Sequence, residues 1–160
     1  MALIIEDITL GDLDRCVEIA CASEIGLRYG FERTALAGRM REALLSGAIM
    51  IAAREVAASP GADSLVGFAW VDPKGAFGSS PYLKLIAVDQ LRRGGGAGAE
   101  LLSEYERRTA NIGRVWTLMV SDFNASAIKF YENHGYVKAG AIEGFSREGI
   151  TELIMVKKRI

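Results

Sequence analysis

The feature that most constrains this chain is a glycine-rich segment between an apolar run and a helical run. Residues 92–98 read Arg-Arg-Gly-Gly-Gly-Ala-Gly, which is more glycine than a plain strand-to-helix turn needs. Glycine lets successive backbone N–H groups point at one anion, and the following helix adds unpaired N–H groups and a positive dipole end. The segment predicts a pyrophosphate-binding loop, to which Arg92 and Arg93 can add charge-assisted hydrogen bonds. An ordinary glycine-rich turn is the alternative.

Length and composition indicate one globular domain without a strong charge bias. The 160 residues suit a single domain spanning 1–160, and 19 Lys and Arg balance 20 Asp and Glu. No global field recruits nucleic acid or an anionic membrane, so an anion site has to be local. Cys16 and Cys21 lack metal-clip spacing and a His/Cys cluster around them, so we expect packing thiols and no metal site. Without a membrane-length apolar run or a signal-type N-terminus, we expect a cytoplasmic protein.

Hydrophobic periodicity predicts seven strands and four helices, which is an α/β or α+β fold with helices around one mixed sheet. The predicted strands are Leu3–Ile8, Ala48–Val56, Leu65–Val71, Leu83–Val88, Val115–Val120, Tyr136–Ile142 and Thr151–Lys157. The predicted helices are Leu10–Ala22, one with the stripe Leu36, Met40, Ala43 and Leu44, one from about Ala99 that ends at Gly113, and one capped by Asn124 that ends at Gly135. The predicted connections include an aromatic segment at 25–32, a hairpin loop at 57–63 and a glycine-rich segment at 72–81.

The loop does not fully match either of two common nucleotide-binding motifs. No Lys followed by Ser or Thr comes after the glycines, which argues against a triphosphate-binding Walker A loop. Residues 94–99 do satisfy the dinucleotide pattern Gly-x-Gly-x-x-Gly/Ala, and Asp122 follows the next strand. However, residues 89–93 separate the first glycine from the strand, and the chain lacks the full set of βαβ repeats. Dinucleotide binding remains a minor alternative.

Two motifs together resemble the GNAT superfamily of N-acetyltransferases. Val88-Asp89-x-x-x-Arg93-Gly94-x-Gly96-Ala97-Gly98-x-x-Leu101-Leu102 resembles its acetyl-CoA-binding motif, whose core is Gln/Arg-x-x-Gly-x-Gly/Ala. The segment 124–136 is similar to the family pattern Asn-x-x-Ala-x-x-Phe-Tyr-x-x-x-Gly-Phe, with Tyr136 in place of the usual Phe. The resemblance implies a three-layer fold whose mixed, mostly antiparallel sheet of about seven strands is flanked by about four helices. It covers the whole chain and is strongest over 83–136.

The resemblance also implies roles for individual residues. Tyr131 matches the family tyrosine that protonates the departing CoA thiolate, and the strand before the loop would offer its backbone to the pantetheine arm. A phenol is a weak acid for this purpose, and Tyr131 could equally be a core residue beside Ala127 and Ile128. The implied acetyl-CoA-binding residues are Ile86, Ala87, Val88, Arg93, Gly94, Gly95, Gly96, Ala97, Gly98, Ala99, Asn124, Ala127, Phe130 and Tyr131.

The proton acceptor for the incoming amine is not identified by the sequence. Many relatives carry a Glu near the start of the strand before the loop, whereas this chain has Tyr82 and Lys84 there. Other candidate acids are Asp72, Glu32, Glu143 and Glu152, and water relayed from one of them is equally admissible. His134 lies in the last turn of its helix, where the dipole favours an imidazole without any catalytic role.

The preferred hypothesis is an N-acetyltransferase that acts by direct attack of a primary amine, from a small molecule or a peptide, on acetyl-CoA. The candidate acceptor residues are Tyr29, Glu32, Asp72 and Tyr82, and the acids among them favour a cationic amine. A non-catalytic CoA or acyl-CoA sensor is the main alternative, because the strand carboxylate is missing. The family resemblance also makes a homodimer possible.

Overall fold

The structure, a computed structural model, describes residues 2–56 and 64–159, so the predicted hairpin loop at 57–63 lies outside the described residues. The strands within these ranges are β1 Leu3–Asp7, β2 Ile49–Glu55, β3 Leu65–Ala76, β4 Ser80–Val88, β5 Val115–Ser121, β6 Val137–Glu143 and β7 Thr151–Lys158. The α-helices there are α1 Leu13–Ala22, α2 Glu24–Tyr29, α3 Arg33–Leu45, α4 Ala97–Arg108 and α5 Ala125–Asn133. Short 3-10 turns at Leu10–Asp12 and Gln90–Arg92 precede α1 and α4.

All seven described strands belong to one mixed sheet with the order β1-β2-β3-β4-β5-β7-β6. β1 with β2, β2 with β3, β5 with β7 and β6 with β7 pair antiparallel, whereas β4 and β5 run parallel. A mixed sheet of this kind needs helical crossovers for its parallel pair, and α4 lies in the chain between β4 and β5. The predicted α/β class with a mostly antiparallel sheet of seven strands is confirmed.

The described residues form five α-helices where about four were predicted, because the aromatic segment at 25–32, which was wrongly predicted as a connection, contains most of α2. The Ser23 side chain caps this helix by accepting a hydrogen bond from the Gly26 N–H at 3.1 Å, and Gly30 ends it at φ 64°. In the sequence, the glycines at 26 and 30 had indicated a loop. A Cβ at Gly26 would lie 2.1 Å from the carbonyl oxygen of Ala20, so this glycine serves a close approach between α2 and α1.

The predicted connection at 72–81 was also wrong, since most of it is strand. β3 continues to Ala76, and the chain reverses over 77–79 before β4 begins. Gly75 lies at a close approach, because a Cβ there would come 2.8 Å from the Asp72 Cβ and 2.9 Å from the Tyr82 Cβ. Phe77 and Gly78 take φ values of 57° and 69°, which is the left-handed backbone of a tight turn. Of the glycines in this segment, only Gly78 marks the turn itself.

The boundaries of the helix after the glycine loop also differ from the prediction. α4 begins at Ala97 and ends at Arg108, whereas Ala99 and Gly113 were expected. The chain turns over 109–114 before β5, and Gly113 takes φ 61° within that turn. A Cβ at Gly113 would lie 2.8 Å from the Ser79 carbonyl oxygen, so this glycine permits a backbone contact rather than ending the helix.

The chain divides into two compact units, and the first comprises Met1–Val71 with Leu85–Arg108. Its hydrophobic core lies where α1 and α3 cover β2 and β3. Its buried members include Cys16, Leu36, Met40, Phe68 and Trp70. Burial of such side chains stabilises a fold by roughly 1.5–3 kcal/mol each, so this core holds the strand that leads into the glycine loop.

The second unit comprises Asp72–Lys84 with Thr109–Ile160. Leu83, Leu118 and Met155 are buried and lie in one row across β4, β5 and β7, because Leu83 pairs with Leu118 and Leu118 with Met155. This row anchors β4 and β7, the strands that carry Tyr82 and Glu152.

None of the helices formed by residues 2–56 and 64–159 is long and apolar enough to cross a membrane.

Candidate functional site

The glycine loop of the first unit has a backbone that only glycine adopts readily. Gly94 and Gly96 take φ values of 83° and 88°, and a Cβ at either would meet no heavy atom within 4 Å. The backbone conformation, and not a lack of space, therefore requires glycine at these positions. The Gly95 N–H donates to the Arg92 carbonyl at 3.3 Å, and the Glu100 N–H donates to the Gly96 carbonyl at 3.0 Å, so the loop leads directly into α4.

The first turn of α4 presents an anion-binding end. Ala97, Gly98 and Ala99 occupy helical positions whose N–H groups have no acceptor inside the helix, and the dipole of a 12-residue helix adds positive potential there. Gly67 in β3 fixes the seat of this helix, since a Cβ there would lie 3.0 Å from the Ala87 carbonyl oxygen and 3.3 Å from Leu101. The structure thus brings together the predicted loop residues 93–99 around one helix end.

An ion pair that the sequence did not reveal holds the entrance of the loop. The Asp89 carboxylate accepts from Arg15 Nη2 at 2.6 Å and from the Leu91 N–H at 3.0 Å, and Arg15 also donates to the Leu65 carbonyl at 3.2 Å. The Leu91 hydrogen bond, followed by Arg15, keeps the pKa of Asp89 below its usual value. Arg15 lies 74 positions from Asp89, so no local sequence signal marks this pair.

The two loop arginines differ in their surroundings. Arg92 pairs with Glu55 of β2 at 3.1 Å, which ties its guanidinium to the first unit. Arg93 is exposed and makes no ion pair among the residues that the structure describes. Of the two predicted phosphate contacts, Arg93 is the better placed to bind an incoming anion.

Helix α5 of the second unit carries the other predicted residues. The Asn124 side-chain Oδ1 accepts from the Ala127 N–H at 3.3 Å, which confirms the predicted cap. Tyr131 is buried, and its ring meets Phe130 edge-on at 5.3 Å and Tyr136 at 5.9 Å. Burial raises the pKa of Tyr131, and the charge that Tyr82 would carry when ionised raises it further. The phenol is therefore a protonated donor at neutral pH.

His134 follows the last residue of α5, and its side chain interacts with that helix. Its Nδ1 lies 2.7 Å from the Phe130 carbonyl oxygen, and its ring packs 4.5 Å from the Phe130 ring. A carbonyl only accepts, so Nδ1 carries the proton and donates it there. This contact accounts for the histidine structurally, as its position in the last turn suggested.

The four candidate acids fall into different environments. Glu32 caps α3 by accepting from the Ala35 N–H at 2.6 Å and the Thr34 N–H at 3.1 Å, which lowers its pKa. Asp72 and Glu143 are exposed. Glu152 alone among the four is buried, at 5% exposure, and it accepts from the Ser121 hydroxyl at 2.9 Å.

The candidate acceptor residues are divided between the units. Tyr29 and Glu32 belong to the first unit, whereas Asp72 and Tyr82 belong to the second and approach each other at Gly75. Tyr82 is partly buried, and burial followed by the charge of Glu152 raises its pKa. No group of three His, Cys, Asp or Glu side chains in residues 2–56 and 64–159 is placed to hold a metal ion.

A family model described as an acetyltransferase (GNAT) domain matches residues 27–159. The chain belongs to the GNAT acetyltransferase family. The matched region contains the glycine loop, α4 and α5, so the motifs that carry the resemblance lie inside it. GNAT membership makes the chain an acyltransferase by family and implies acetyl-CoA as the acyl donor.

Solved structures share the GNAT fold over nearly the whole chain. A GNAT-family acetyltransferase from Bacillus cereus ATCC 10987 is 20% identical with a TM-score of 0.78, covering 100% of this chain and 99% of its own. A ribosomal-protein-alanine N-acetyltransferase from Brucella melitensis is 20% identical with a TM-score of 0.73, covering 98% and 99%. An aminoglycoside 6'-N-acetyltransferase complexed with coenzyme A is 19% identical with a TM-score of 0.75, covering 98% and 97%. A comparison with curated proteins finds no match.

Proposed function

We propose that this GNAT-family chain transfers the acetyl group of acetyl-CoA to a primary amine of a small molecule or a peptide. The observation that carries the proposal is the loop with positive φ at Gly94 and Gly96, which leads without interruption into α4. Such a loop directs successive N–H groups at one anion, which suits the pyrophosphate of CoA. A structural relative bound to coenzyme A supports the same cofactor.

The proposed cofactor contacts follow from these elements. Backbone N–H groups from Arg93 to Ala99 bind the pyrophosphate, and the Arg93 guanidinium adds a charge-assisted hydrogen bond. Backbone groups of Ile86, Ala87 and Val88 in β4 bind the amide-rich pantetheine arm. Four residues of the second unit belong to the same set of proposed cofactor contacts, namely Asn124, Ala127, Phe130 and Tyr131.

Tyr131 is the proposed general acid. When the amine attacks, a new C–N bond forms, and the C–S bond then breaks to release a thiolate that needs a proton. The raised pKa of Tyr131 keeps its hydroxyl protonated at neutral pH, so the donor is present in every turnover.

We further propose that residues 1–160 act as one acetyltransferase domain in the cytoplasm, either as a monomer or as a homodimer.

A CoA or acyl-CoA sensor without turnover is the second candidate. The observation behind it is that Tyr82 and Lys84 stand in β4 where many relatives carry a glutamate. Both candidates share the cofactor and differ in whether an amine reacts.

Ligand-dependent thermal stabilisation tests the cofactor. A ligand at about 100 times its Kd stabilises a protein by roughly 2.7 kcal/mol, which is a measurable rise in Tm. We expect acetyl-CoA and CoA to raise Tm, with NAD and ATP giving no comparable rise at equal concentration. A rise with NAD and none with CoA would replace this proposal with dinucleotide binding.

A further inference from the structure

Helix α2 adds little to the buried core of the first unit. It has six residues, of which only Gly26 is buried, and within the described residues none of its side chains belongs to the hydrophobic core. Isolated helices shorter than about 12 residues are marginal in water, so α2 depends on what holds its ends. Because α2 ends at Tyr29, its stability bears directly on the candidate acceptor site.

The start of α2 is built on the last turn of α1. The Ser23 N–H and hydroxyl both donate to the Ala20 carbonyl, at 3.2 and 2.6 Å. The Ser23 side chain accepts from the Gly26 N–H at 3.1 Å, and its carbonyl accepts from the Leu27 N–H at 2.9 Å. Terminal carbonyls of α1 and terminal N–H groups of α2 are therefore paired in one place, the α1–α2 junction at residues 20–27.

Gln90 joins this junction to the entrance of the glycine loop. Its Nε2 donates to the Ala22 carbonyl at 2.7 Å, although the two residues are 68 positions apart in the chain. Ala22 is the last residue of α1, so its carbonyl has no partner inside the helix. Since a carbonyl only accepts, the amide nitrogen of Gln90, and not its oxygen, faces the junction.

The 3-10 turn that carries Gln90 continues into the glycine loop without a break. The Arg92 N–H donates to the Asp89 carbonyl at 2.8 Å, and the Gly95 N–H donates to the Arg92 carbonyl at 3.3 Å. The Asp89 carboxylate is held by Arg15, near the start of α1. The loop entrance is thus bonded to α1 at both Asp89 and Gln90, and the bond from Gln90 is the one that reaches the α1–α2 junction.

We propose that Gln90 is a positioning residue that couples acetyl-CoA binding at the glycine loop to the stability of α2. The inference rests on the proposed function, since it needs CoA at the loop and the acceptor amine near Tyr29. When α2 opens, the junction loses its cap and Gln90 loses its acceptor, so the loop entrance is held less firmly. CoA therefore binds more tightly to the state in which α2 is formed, and this difference in affinity shifts the equilibrium toward that state.

Coupling of this kind is reciprocal. If CoA favours formed α2 by a given factor, an acceptor that binds formed α2 raises the affinity for CoA by the same factor. We expect a factor of about 5, near the lower end for coupled sites, because a single hydrogen bond carries the effect. The two substrates then bind cooperatively, and Gln90 is the side chain through which each favours the other.

Hydrogen exchange with and without CoA tests this coupling. The readout is the ratio of exchange rates without and with saturating CoA, measured by mass spectrometry for residues 24–31 and for loop residues 93–100. In the wild type we expect CoA to slow exchange in the loop and to slow it about 5-fold in the α2 segment. A role of Gln90 in fold stability alone would change the exchange rate of α2 but not this ratio.

Two substitutions of Gln90 remove the donor in different ways. Gln90→Glu keeps the size of the side chain, and Gln90→Ala removes the donor without adding a charge. In both variants CoA should still slow exchange in the loop, whereas its effect on α2 should fall below about 2-fold. Leu91→Ala is the matched control, because its side chain is 84% exposed in the same turn and its N–H bond to Asp89 is kept. It should retain the wild-type ratio in both segments.

Steady-state kinetics supply a second readout of the same coupling. At saturating acetyl-CoA, Gln90→Ala should raise the KM of the acceptor amine about 5-fold and leave kcat within about 2-fold of the wild type. This split is expected because α2 contributes to holding the acceptor and not to the chemical step. An acceptor KM equal to that of the wild type would argue against the coupling.

The outcomes separate this inference from the proposed function. A Gln90→Ala protein in which CoA slows the α2 segment as much as in the wild type would overturn the inference. A wild type in which CoA slows only the loop would overturn it as well. Both results require CoA to bind and so leave the proposed cofactor intact. A wild type in which CoA slows exchange in neither segment would instead refute the proposed function itself.

Discussion

Tyr131 is the residue at which packing and chemistry coincide. Its ring packs edge-on against Phe130 and Tyr136, contacts that a phenylalanine would preserve. The hydroxyl is therefore the separable part of the side chain. Burial raises its pKa, so the group donates a proton or a strong hydrogen bond without ionising at neutral pH.

Tyr131→Phe should lower kcat about 100-fold, because it removes the general acid and retains the ring. CoA should raise the Tm of the variant as much as that of the wild type, since the loop contacts are untouched. Tyr136→Phe is the matched control, because Tyr136 is buried at 1% exposure beside Tyr131, and it should keep wild-type kcat. Steady-state rates of thiol release supply the comparison. A Tyr131→Phe enzyme with unchanged kcat would remove this residue from the mechanism.

At the scale of elements, the glycine loop and α4 form one anion-binding unit fixed from outside. The Arg15 to Asp89 pair joins α1 to the loop entrance, and the contact at Gly67 seats α4 on β3. The helix end is thereby held before any ligand arrives. Such preorganisation reduces the entropy that binding would otherwise cost.

Gly96→Ala should weaken CoA binding at least 10-fold and also lower Tm. A residue with a Cβ loses about 1–2 kcal/mol in the left-handed region, and the loop relaxes away from the geometry that the phosphates need. Gly30→Ala is the matched control, because Gly30 also has positive φ and open space around its Cβ position, at the end of α2. It should lose similar stability and keep wild-type affinity, as measured by calorimetric titration with CoA. If both variants bound CoA normally, the loop would not be the binding element.

The last turn of α4 is tied to β1 by a charge network. The Glu104 carboxylate accepts from Arg107 Nε and from Arg108 Nε, each at 2.9 Å, and Arg108 also pairs with Asp7. Glu104 and Arg108 lie four residues apart on α4, which is the spacing at which side chains of opposite charge pair along a helix. The hydrogen bond from Arg107, followed by that from Arg108, lowers the pKa of Glu104 from 4.5 to about 2.

Glu104→Gln should destabilise the protein by about 1 kcal/mol at pH 7, as expected for ion pairs near the surface. Because the folded state lowers this pKa, the stabilisation is present above pH 4.5 and is lost as pH falls toward about 2. The difference between the urea midpoints of wild type and variant should therefore shrink from pH 5 downward. Glu42→Gln, at an exposed position of α3, should show no such difference. A gap that stayed constant down to pH 3 would contradict the network.

At the scale of the whole molecule, the sequence predicted elements whose signals are local. The loop glycines and the Asn124 cap can be recognised from the residues next to them in the chain, and both were predicted at the correct positions. Gly26 and Gly75 misled the prediction because each is glycine for a close tertiary approach, which a sequence does not display. A run of residues with a central glycine is then read as a loop although it forms a helix or a strand.

The candidate site could likewise be predicted from the sequence only in part. Two spaced motifs identified the family, which the match over residues 27–159 bears out. The sequence could not rank the four acids, because burial of Glu152 and its bond to Ser121 arise from the pairing of β5 with β7. Nor could it find Arg15, whose partner Asp89 is brought near only by the folded first unit.

The central claim is that the chain moves an acetyl group and does not merely hold CoA. Its most direct test is to measure the release of free thiol from acetyl-CoA in the presence of a panel of primary amines. The panel comprises a polyamine, an aminoglycoside, a peptide that offers a lysine side chain and a peptide with an N-terminal alanine. We predict thiol release that depends on one of these amines and equals the N-acetyl product formed. Stabilisation by CoA with no amine-dependent thiol release from any of them would contradict the claim and favour a sensor.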